Sequence, residues 1–210
     1  CSCSCEFQAV ACLAGNAPVN IDHLVTSQPL ASLNAQAKIR TFSLEDVDWD
    51  LSVDHSRQWM PQELVPASYL PSFSGLRPEN QLRFNQLTAQ CVCEQFIWFE
   101  EELLCPILQK ILNTQSLDAD LRTCLQNFAD EEVRHSAMFR RLLQKTDPLL
   151  YANGRRQMYQ LNGFQSAFAQ QVISHPETML VWIWLAIYFE ERTLHFSRTY
   201  KKEELRAPQN

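Results

Sequence analysis

Residues 117–145, LDADLRTCLQNFADEEVRHSAMFRRLLQK, have the pattern of one long amphipathic helix. His135 follows Glu132 by three positions and therefore lies on the same side of such a helix. At 100° per residue, one acid falls with five apolar side chains inside an arc of about 60°: Leu121, Leu125, Phe128, Glu132, Phe139 and Leu143. The stretch predicts a core helix that carries a carboxylate and an imidazole into the protein interior.

Glycine is scarce in this chain. Four glycines occur among 210 residues, where average usage of about 7% would give roughly fifteen. Nucleotide-binding loops and tight hairpins need glycine, so the composition disfavours Rossmann, P-loop and all-β folds and favours long helices. The net charge of −6 argues against nucleic acid as a partner. The apolar run 179–189 is too short to span a membrane, which takes roughly 20 residues, and predicts a fully buried helix.

The other helices follow from the same reasoning. Residues 79–113 contain no glycine and one proline, Pro106, which predicts a long helix that is either kinked near Glu102 or divided in two. Ser116 is expected to cap the helix over 117–145. A turn at Asn153-Gly154 and a short helix are expected within 146–163, and a last helix over 176–203. The predicted fold class is an all-α helical bundle.

The N-terminal part of the chain has a different character. Residues 1–40 are expected to be a disordered leader, in which Cys1, Cys3, Cys5 and Cys12 lack a spacing typical of zinc sites. Four prolines within 41–78 predict an irregular wrap over the core. Its expected anchors are Phe42, Trp49, Trp59, Leu64, Tyr69 and Phe73. No signal peptide is recognisable, so we expect a cytoplasmic protein.

Two further helices place acids in or beside apolar faces. In 79–113 the apolar stripe is centred within about 15° of Glu100, with Glu101 on its flank and Glu102 pointing away. In the last helix, Glu190 and Glu191 directly follow the apolar run, and periodicity does not choose between them. These acids could be solvated or paired with arginine, but a buried carboxylate needs a partner, and a metal ion is one. Oxygen and imidazole ligands suit iron, with manganese possible.

Three segments resemble the p-aminobenzoate N-oxygenase family of ferritin-like di-iron oxygenases. They are Trp98-Phe-Glu-Glu-Glu-Leu-Leu, Asp130-Glu-Glu-Val-Arg-His-Ser-Ala-Met-Phe and Tyr188-Phe-Glu-Glu-Arg. The segment Val47-Asp-Trp-Asp also resembles the family's N-terminal wrap, and the likeness covers roughly residues 41–205. The resemblance implies a ferritin-like domain over 41–210 that binds two irons. Its ligands would be Glu100, Glu132, His135 and one of Glu190 and Glu191.

The resemblance further implies an enzyme that uses O2 and an electron donor to oxidise a small molecule. The expected reaction is N-oxygenation of an arylamine or a related hydroxylation. Two alternatives stay open: a ferritin-like iron-binding protein without an organic substrate, and an inactive bundle whose buried acids pair with Arg134, Arg140 or Arg192.

The family's last ligand helix, with the pattern His-x-x-x-Glu-x-x-His, has no counterpart in these 210 residues. We therefore expect the domain to be C-terminally incomplete, completed by a partner chain, or without metal chemistry. A bundle lacking one helix exposes apolar surface, which predicts a homodimer.

Overall fold

The structure is a computed structural model that describes residues 29–39, 43–177 and 179–206, with side chains to residue 200. Within these ranges it is helical and has no strand, which confirms the predicted all-α bundle. The α-helices are α1 (Leu30–Ile39), α2 (Pro71–Ser74), α3 (Pro78–Ile97), α4 (Cys105–Thr114), α5 (Ala119–Thr146), α6 (Gly163–Ser174) and α7 (Val181–Arg206). No helix in the described part of the chain has both the length and the hydropathy that crossing a bilayer requires.

The kink expected at Pro106 takes the form of a π-helical segment. This segment, Trp98–Leu104, joins α3 to α4 without a break. Proline has no N–H, and its ring would clash with the carbonyl four residues earlier, here that of Glu102. The widened turn just before the proline relieves this conflict: the N–H of Cys105 donates to the carbonyl of Glu100, five residues back.

Helix α5 matches its predicted span, but its N-cap differs. The carboxylate of Asp118, not the hydroxyl of Ser116, accepts from the N–H of Leu121 at 2.9 Å. An anionic cap also complements the helix dipole, so Asp118 combines two stabilising effects in one side chain.

Between α5 and α7 the structure departs from the predicted elements. Residues 147–162 form turns and irregular backbone without the expected short helix, and the turn at Asn153-Gly154 is present, with Gly154 at φ 66°. Helix α6 was not predicted, and α7 begins at Val181 rather than near Pro176. Nor is the run 179–189 buried all round, because Trp182 is buried whereas Trp184 and Tyr188 are largely exposed.

The chain forms two compact units that share helices α5 and α7. The first contains the described residues within 1–47, 97–138 and 161–187. Its core comes from the π segment, α4 and the first half of α5, where Leu103, Ile107 and Leu125 are buried. Helix α1 lies at the end of the expected leader. It is hydrogen-bonded to α5, since the side-chain amide of Asn34 donates to the backbone carbonyl of Asp120 at 2.9 Å. The N-terminal cysteines lie outside the described residues.

The second unit contains the described residues within 48–96, 139–160 and 188–210, including most of the predicted N-terminal wrap. The wrap is a path of short 3-10 turns (Leu44–Asp46, Gln62–Leu64, Pro66–Tyr69) followed by α2. Leu64 and Phe73 are buried as expected. Tyr69 is exposed and does not anchor the wrap, whereas Met60, which was not predicted, does. The expected anchor Phe42 lies outside the described residues.

A buried amide on α3 holds the wrap in place. The side-chain oxygen Oδ1 of Asn85 accepts from the backbone N–H groups of Trp59 and Met60 at 2.9 and 3.2 Å. Its side-chain nitrogen Nδ2 donates to the backbone carbonyl of Met60 at 2.7 Å. We expect Asn85→Ala to lower the free energy of unfolding by about 2–4 kcal/mol, because the N–H of half-buried Trp59 and the N–H and carbonyl of buried Met60 lose their hydrogen-bond partner. Urea denaturation measures this. Asn80→Ala, an exposed change on the same helix, should cost less than about 0.5 kcal/mol, and an equal loss in both variants would contradict this role.

A second buried polar group on α3 organises residues 151–159 of the same unit. The carboxylate of Glu94 is 0% exposed and accepts four hydrogen bonds. Oε1 accepts from the Tyr151 hydroxyl and the Gln157 N–H, both at 2.8 Å. Oε2 accepts from the N–H groups of Met158 and Tyr159 at 2.8 and 2.6 Å. Burial, together with the Glu94 carboxylate, raises the pKa of Tyr151, which therefore stays protonated and donating across neutral pH.

Candidate metal centre

The π segment sets the direction of three consecutive acids. Glu100 is buried (5% exposed), Glu101 is half-buried and Glu102 is exposed. Burial therefore decreases along the three acids, as the apolar stripe of residues 79–113 predicts. A carboxylate in the middle of an apolar core segment is costly unless it is partnered. π-Helical turns are rare and occur frequently at functional sites, so both the backbone and the burial single out Glu100.

Helix α5 brings two further donors to the same place. Glu132 is 1% exposed, and its Oε1 lies 3.8 Å from Nδ1 of His135. One carboxylate oxygen each from Glu100 and Glu132 and one ring nitrogen of His135 all lie within 4.8 Å of one another. Among the described residues this is the group of acidic, histidine or cysteine side chains close enough together to hold a metal ion.

Two neighbouring side chains lie beside these donors. The Ser136 hydroxyl is buried and donates to Oε2 of Glu100 at 2.8 Å. The other nitrogen of His135, Nε2, lies 3.9 Å from Oε1 of Glu131. A carboxylate near the second ring nitrogen is typical of metal-ligating histidines, and at 3.9 Å Glu131 acts on the ring through its charge rather than through a hydrogen bond.

The electrostatics favour a neutral imidazole and an inert thiol. Burial lowers the pKa of His135, and the charge of Arg134 adds to this, whereas Glu131 acts in the opposite direction. The imidazole is therefore uncharged near pH 7, and one of its ring nitrogens carries a lone pair that can bind a metal ion. Burial and the surrounding acids, Glu132 first, raise the pKa of Cys105 to about 12, so this thiol stays protonated in the metal-free protein, and it is not a member of the three-residue group.

The acids of the last helix differ in burial. Glu190 is half-buried and Glu191 is exposed. Both belong to the second unit, and neither is in the three-residue group described above. Their part in metal binding stays a prediction, with the burial favouring Glu190.

Sequence reasoning missed Ser136 and Glu131, although a signal for each was present. Ser136 follows Glu132 by four positions, and Glu131 precedes His135 by four, so each pair shares one helix face. A wider reading of α5, looking for groups that support the ligands, would have found both.

Two carboxylates and a neutral imidazole form a hard, anionic donor set that fits iron. The fold and the site together define an all-α bundle with a candidate carboxylate–histidine metal centre. The family model described as p-aminobenzoate N-oxygenase AurF matches residues 25–205. The chain therefore belongs to this family, whose members are di-iron enzymes. No curated protein and no solved structure gives a significant match.

Proposed function

We propose that this protein is a di-iron oxygenase that uses O2 to oxidise a small molecule, most directly the nitrogen of an arylamine. The observation that carries the proposal is the convergence of Glu100, Glu132 and His135 in a chain of the AurF family. Because the family is di-iron, we propose iron rather than manganese as the metal. When bound, iron supplies the activation of O2 and the transfer of oxygen.

Each side chain has a proposed role. Glu100 and Glu132 would hold iron through their oxygens and neutralise its charge inside the buried site. His135 would supply a neutral nitrogen ligand, and Glu190 would be a further carboxylate ligand. Ser136 holds one oxygen of Glu100 in a fixed direction, which limits how that carboxylate can shift during turnover.

The proposed reaction needs an electron donor. Conversion of an arylamine and O2 to an arylhydroxylamine and water consumes two electrons and two protons. These come from outside the oxygenase, so we propose a reduced redox protein or reduced cofactor as a further partner.

The test combines iron loading with product analysis. The chain is loaded anaerobically with Fe(II), desalted, and exposed to ¹⁸O₂ with 4-aminobenzoate and a chemical reductant. Mass spectrometry should find the label in a hydroxylamine or nitro product, in amounts that scale with bound iron. Iron that binds and consumes O2 equally with and without the amine would favour iron handling instead. A chain that binds no iron would overturn both.

The serine that orients Glu100 gives a more specific prediction. We expect Ser136→Ala to weaken Fe(II) affinity about 10- to 100-fold, the usual effect of removing a group that orients a ligand. Competition with a chelator measures the affinity. The matched control is Thr123→Ala on the same helix, whose hydroxyl donates to the carbonyl of Ala119 and which should leave the affinity unchanged. Equal affinities in the native chain and Ser136→Ala would contradict the role of Ser136.

A further inference from the structure

The segment 139–160, which runs from the end of α5 through the turns after it, concentrates positive charge. It contains five Lys or Arg residues and one acid, a net charge of +4, whereas the other 188 residues carry −10. Local positive charge on an acidic protein directs anionic partners to one place and away from the rest of the surface. This segment of the second unit is therefore a candidate interaction surface.

Packing holds the basic side chains at the end of α5 in place. Arg141 and Lys145 lie four positions apart and share one face of the helix. The guanidinium of Arg141 lies over the ring of Trp49, 4.6 Å from its centroid. The ammonium of Lys145 donates to the backbone carbonyl of Trp49. Because both side chains are held against Trp49, their charges are ordered before any partner binds, which lowers the entropy lost on binding.

The chain after α5 is held close to the same helix end. Arg140 donates to the backbone carbonyl of Gly154, so Arg155, the next residue, lies near the end of α5. Arg155 is exposed, and its guanidinium makes no ion pair with any described residue. Two residues further on, the N–H of Gln157 donates to the buried carboxylate of Glu94. Both ends of this short stretch are anchored, so Arg155 also has a defined position.

Exposed leucines accompany these cations. Leu142, Leu149 and Leu150 are 37%, 92% and 36% exposed. Apolar side chains next to arginine are typical of protein–protein contacts, where the apolar groups lose water and the charges set the orientation. We call four residues the basic surface: Arg141, Lys145, Leu149 and Arg155.

The proposed reaction needs electrons, and the sequence indicates that a protein supplies them. A dinucleotide is usually bound by a glycine-rich loop between a strand and a helix. This chain has four glycines, no two of them closer than nine positions, and the described residues contain no strand. A reduced redox protein is therefore a better candidate for the donor than a free dinucleotide.

Other anionic partners fit the basic surface less well. Asp48 and Asp50 flank Trp49 in the sequence, and both are exposed. A membrane or a nucleic acid presents continuous negative charge, which these two acids would repel. A folded protein presents carboxylates at discrete positions, which can meet the cations and avoid the acids.

We propose that the basic surface docks a small acidic redox protein that supplies the electrons. Carboxylates of the partner would pair with Arg141, Lys145 and Arg155, and its apolar side chains would cover Leu149. The partner gives up two electrons per turnover and leaves in its oxidised form, and the two protons of the reaction come from water. The proposal rests on the oxygenase function proposed above, which creates the need for electrons. Transient redox contacts are small, which suits a carrier that dissociates after each delivery.

Isothermal titration calorimetry on the native chain, without added metal, tests the docking. The probes are two acidic redox proteins, a plant-type [2Fe–2S] ferredoxin and a flavodoxin. At least one should bind at low ionic strength. Its dissociation constant should rise about 10-fold when NaCl is increased from about 10 mM to about 150 mM, because the Debye length falls from about 30 Å to about 8 Å.

Three single variants locate the contact. Arg155→Glu should raise the dissociation constant about 10-fold, because a carboxylate of the partner then meets a like charge. Leu149→Glu places a negative charge at the apolar position and should have an effect of similar size, about 10-fold. Arg77→Glu is the matched control: it changes the net charge equally, and Arg77 lies on the surface outside 139–160, 3.1 Å from Glu79. It should change the dissociation constant by less than about twofold.

Three results would overturn the proposal. Neither probe binds the native chain; Arg77→Glu weakens binding as much as Arg155→Glu; or phosphatidylserine vesicles bind the native chain while both proteins do not. Circular dichroism checks that each variant is folded, and should Arg155→Glu fail to fold, Leu149→Glu decides. Because the titration needs no iron, its failure leaves the oxygenase function standing. Docking by an iron-loaded chain that yields no ¹⁸O-labelled product would overturn the oxygenase function alone.

Discussion

The Glu132→Gln variant should retain iron only at background level. Glutamine has the same size as glutamate but lacks the negative charge that holds a hard cation, and Glu132 is the most buried member of the three-residue group. The iron content per chain is measured by inductively coupled plasma mass spectrometry after anaerobic Fe(II) loading and desalting. It should fall from the native value to that of a metal-free blank. Glu100→Gln should behave in the same way. The exposed neighbours provide matched controls: Asp130→Asn on α5 and Glu102→Gln in the π segment should load like the native chain.

Stability without metal distinguishes this site from a structural ion pair. In the metal-free native chain the buried carboxylates of Glu100 and Glu132 lie close together, and neighbouring carboxylates disfavour each other's charged form, so replacing one by an amide should leave the free energy of unfolding unchanged or higher. If Glu132 were instead the anion of a buried salt bridge, removing it would destabilise the protein by about 3–5 kcal/mol. Urea denaturation of the metal-free Glu132→Gln variant makes the comparison. A large loss of stability, or native iron loading in this variant, would contradict a metal-ligand role.

The helices that carry the candidate site could be predicted because their periodicity is strong. Leu121, Leu125 and Phe128 are buried on the same side as Glu132, and each acid of 100–102 has the relative burial that the stripe implies. An acid inside an apolar stripe can be recognised from the sequence, because a charged side chain is rarely found at a position that the helical pattern predicts to be buried. The π-helical form of the kink was not visible, since proline dictates a disruption without dictating which hydrogen bonds replace the lost one.

Periodicity failed where apolar residues face solvent or where polar residues lie inside. The exposed Trp184 made α7 look apolar on every side. Helix α6 was missed because its exposed side is as apolar as its buried side, which leaves no amphipathic contrast to detect. Glu94 was missed for the opposite reason: the groups that satisfy its carboxylate come from residues 151–159, more than fifty positions away. Such a partnership is a property of tertiary structure alone.

Glu94→Ala should lower the free energy of unfolding by about 3–5 kcal/mol, the range found when one partner of a buried charged network is removed. The substitution leaves three half-buried backbone N–H groups and the buried Tyr151 hydroxyl without their acceptor. For a chain of this size that corresponds to a fall in melting temperature of roughly 10 °C. The loss should be concentrated in residues 151–159, where hydrogen exchange at the N–H groups of residues 157–159 should accelerate most.

Two comparisons isolate the carboxylate as the cause. Tyr151→Phe removes one of the four donors and leaves the carboxylate in place, so it should cost only about 0.5–1.5 kcal/mol. Glu79 is on the same helix but exposed, paired with Arg77 at 3.1 Å on the surface, and Glu79→Ala should change stability by less than about 0.5 kcal/mol. A Glu94→Ala variant no less stable than Glu79→Ala would show that water or a rearranged loop replaces the carboxylate. Residues 151–159 would then be held by the packing of Tyr151 rather than by the charge at position 94.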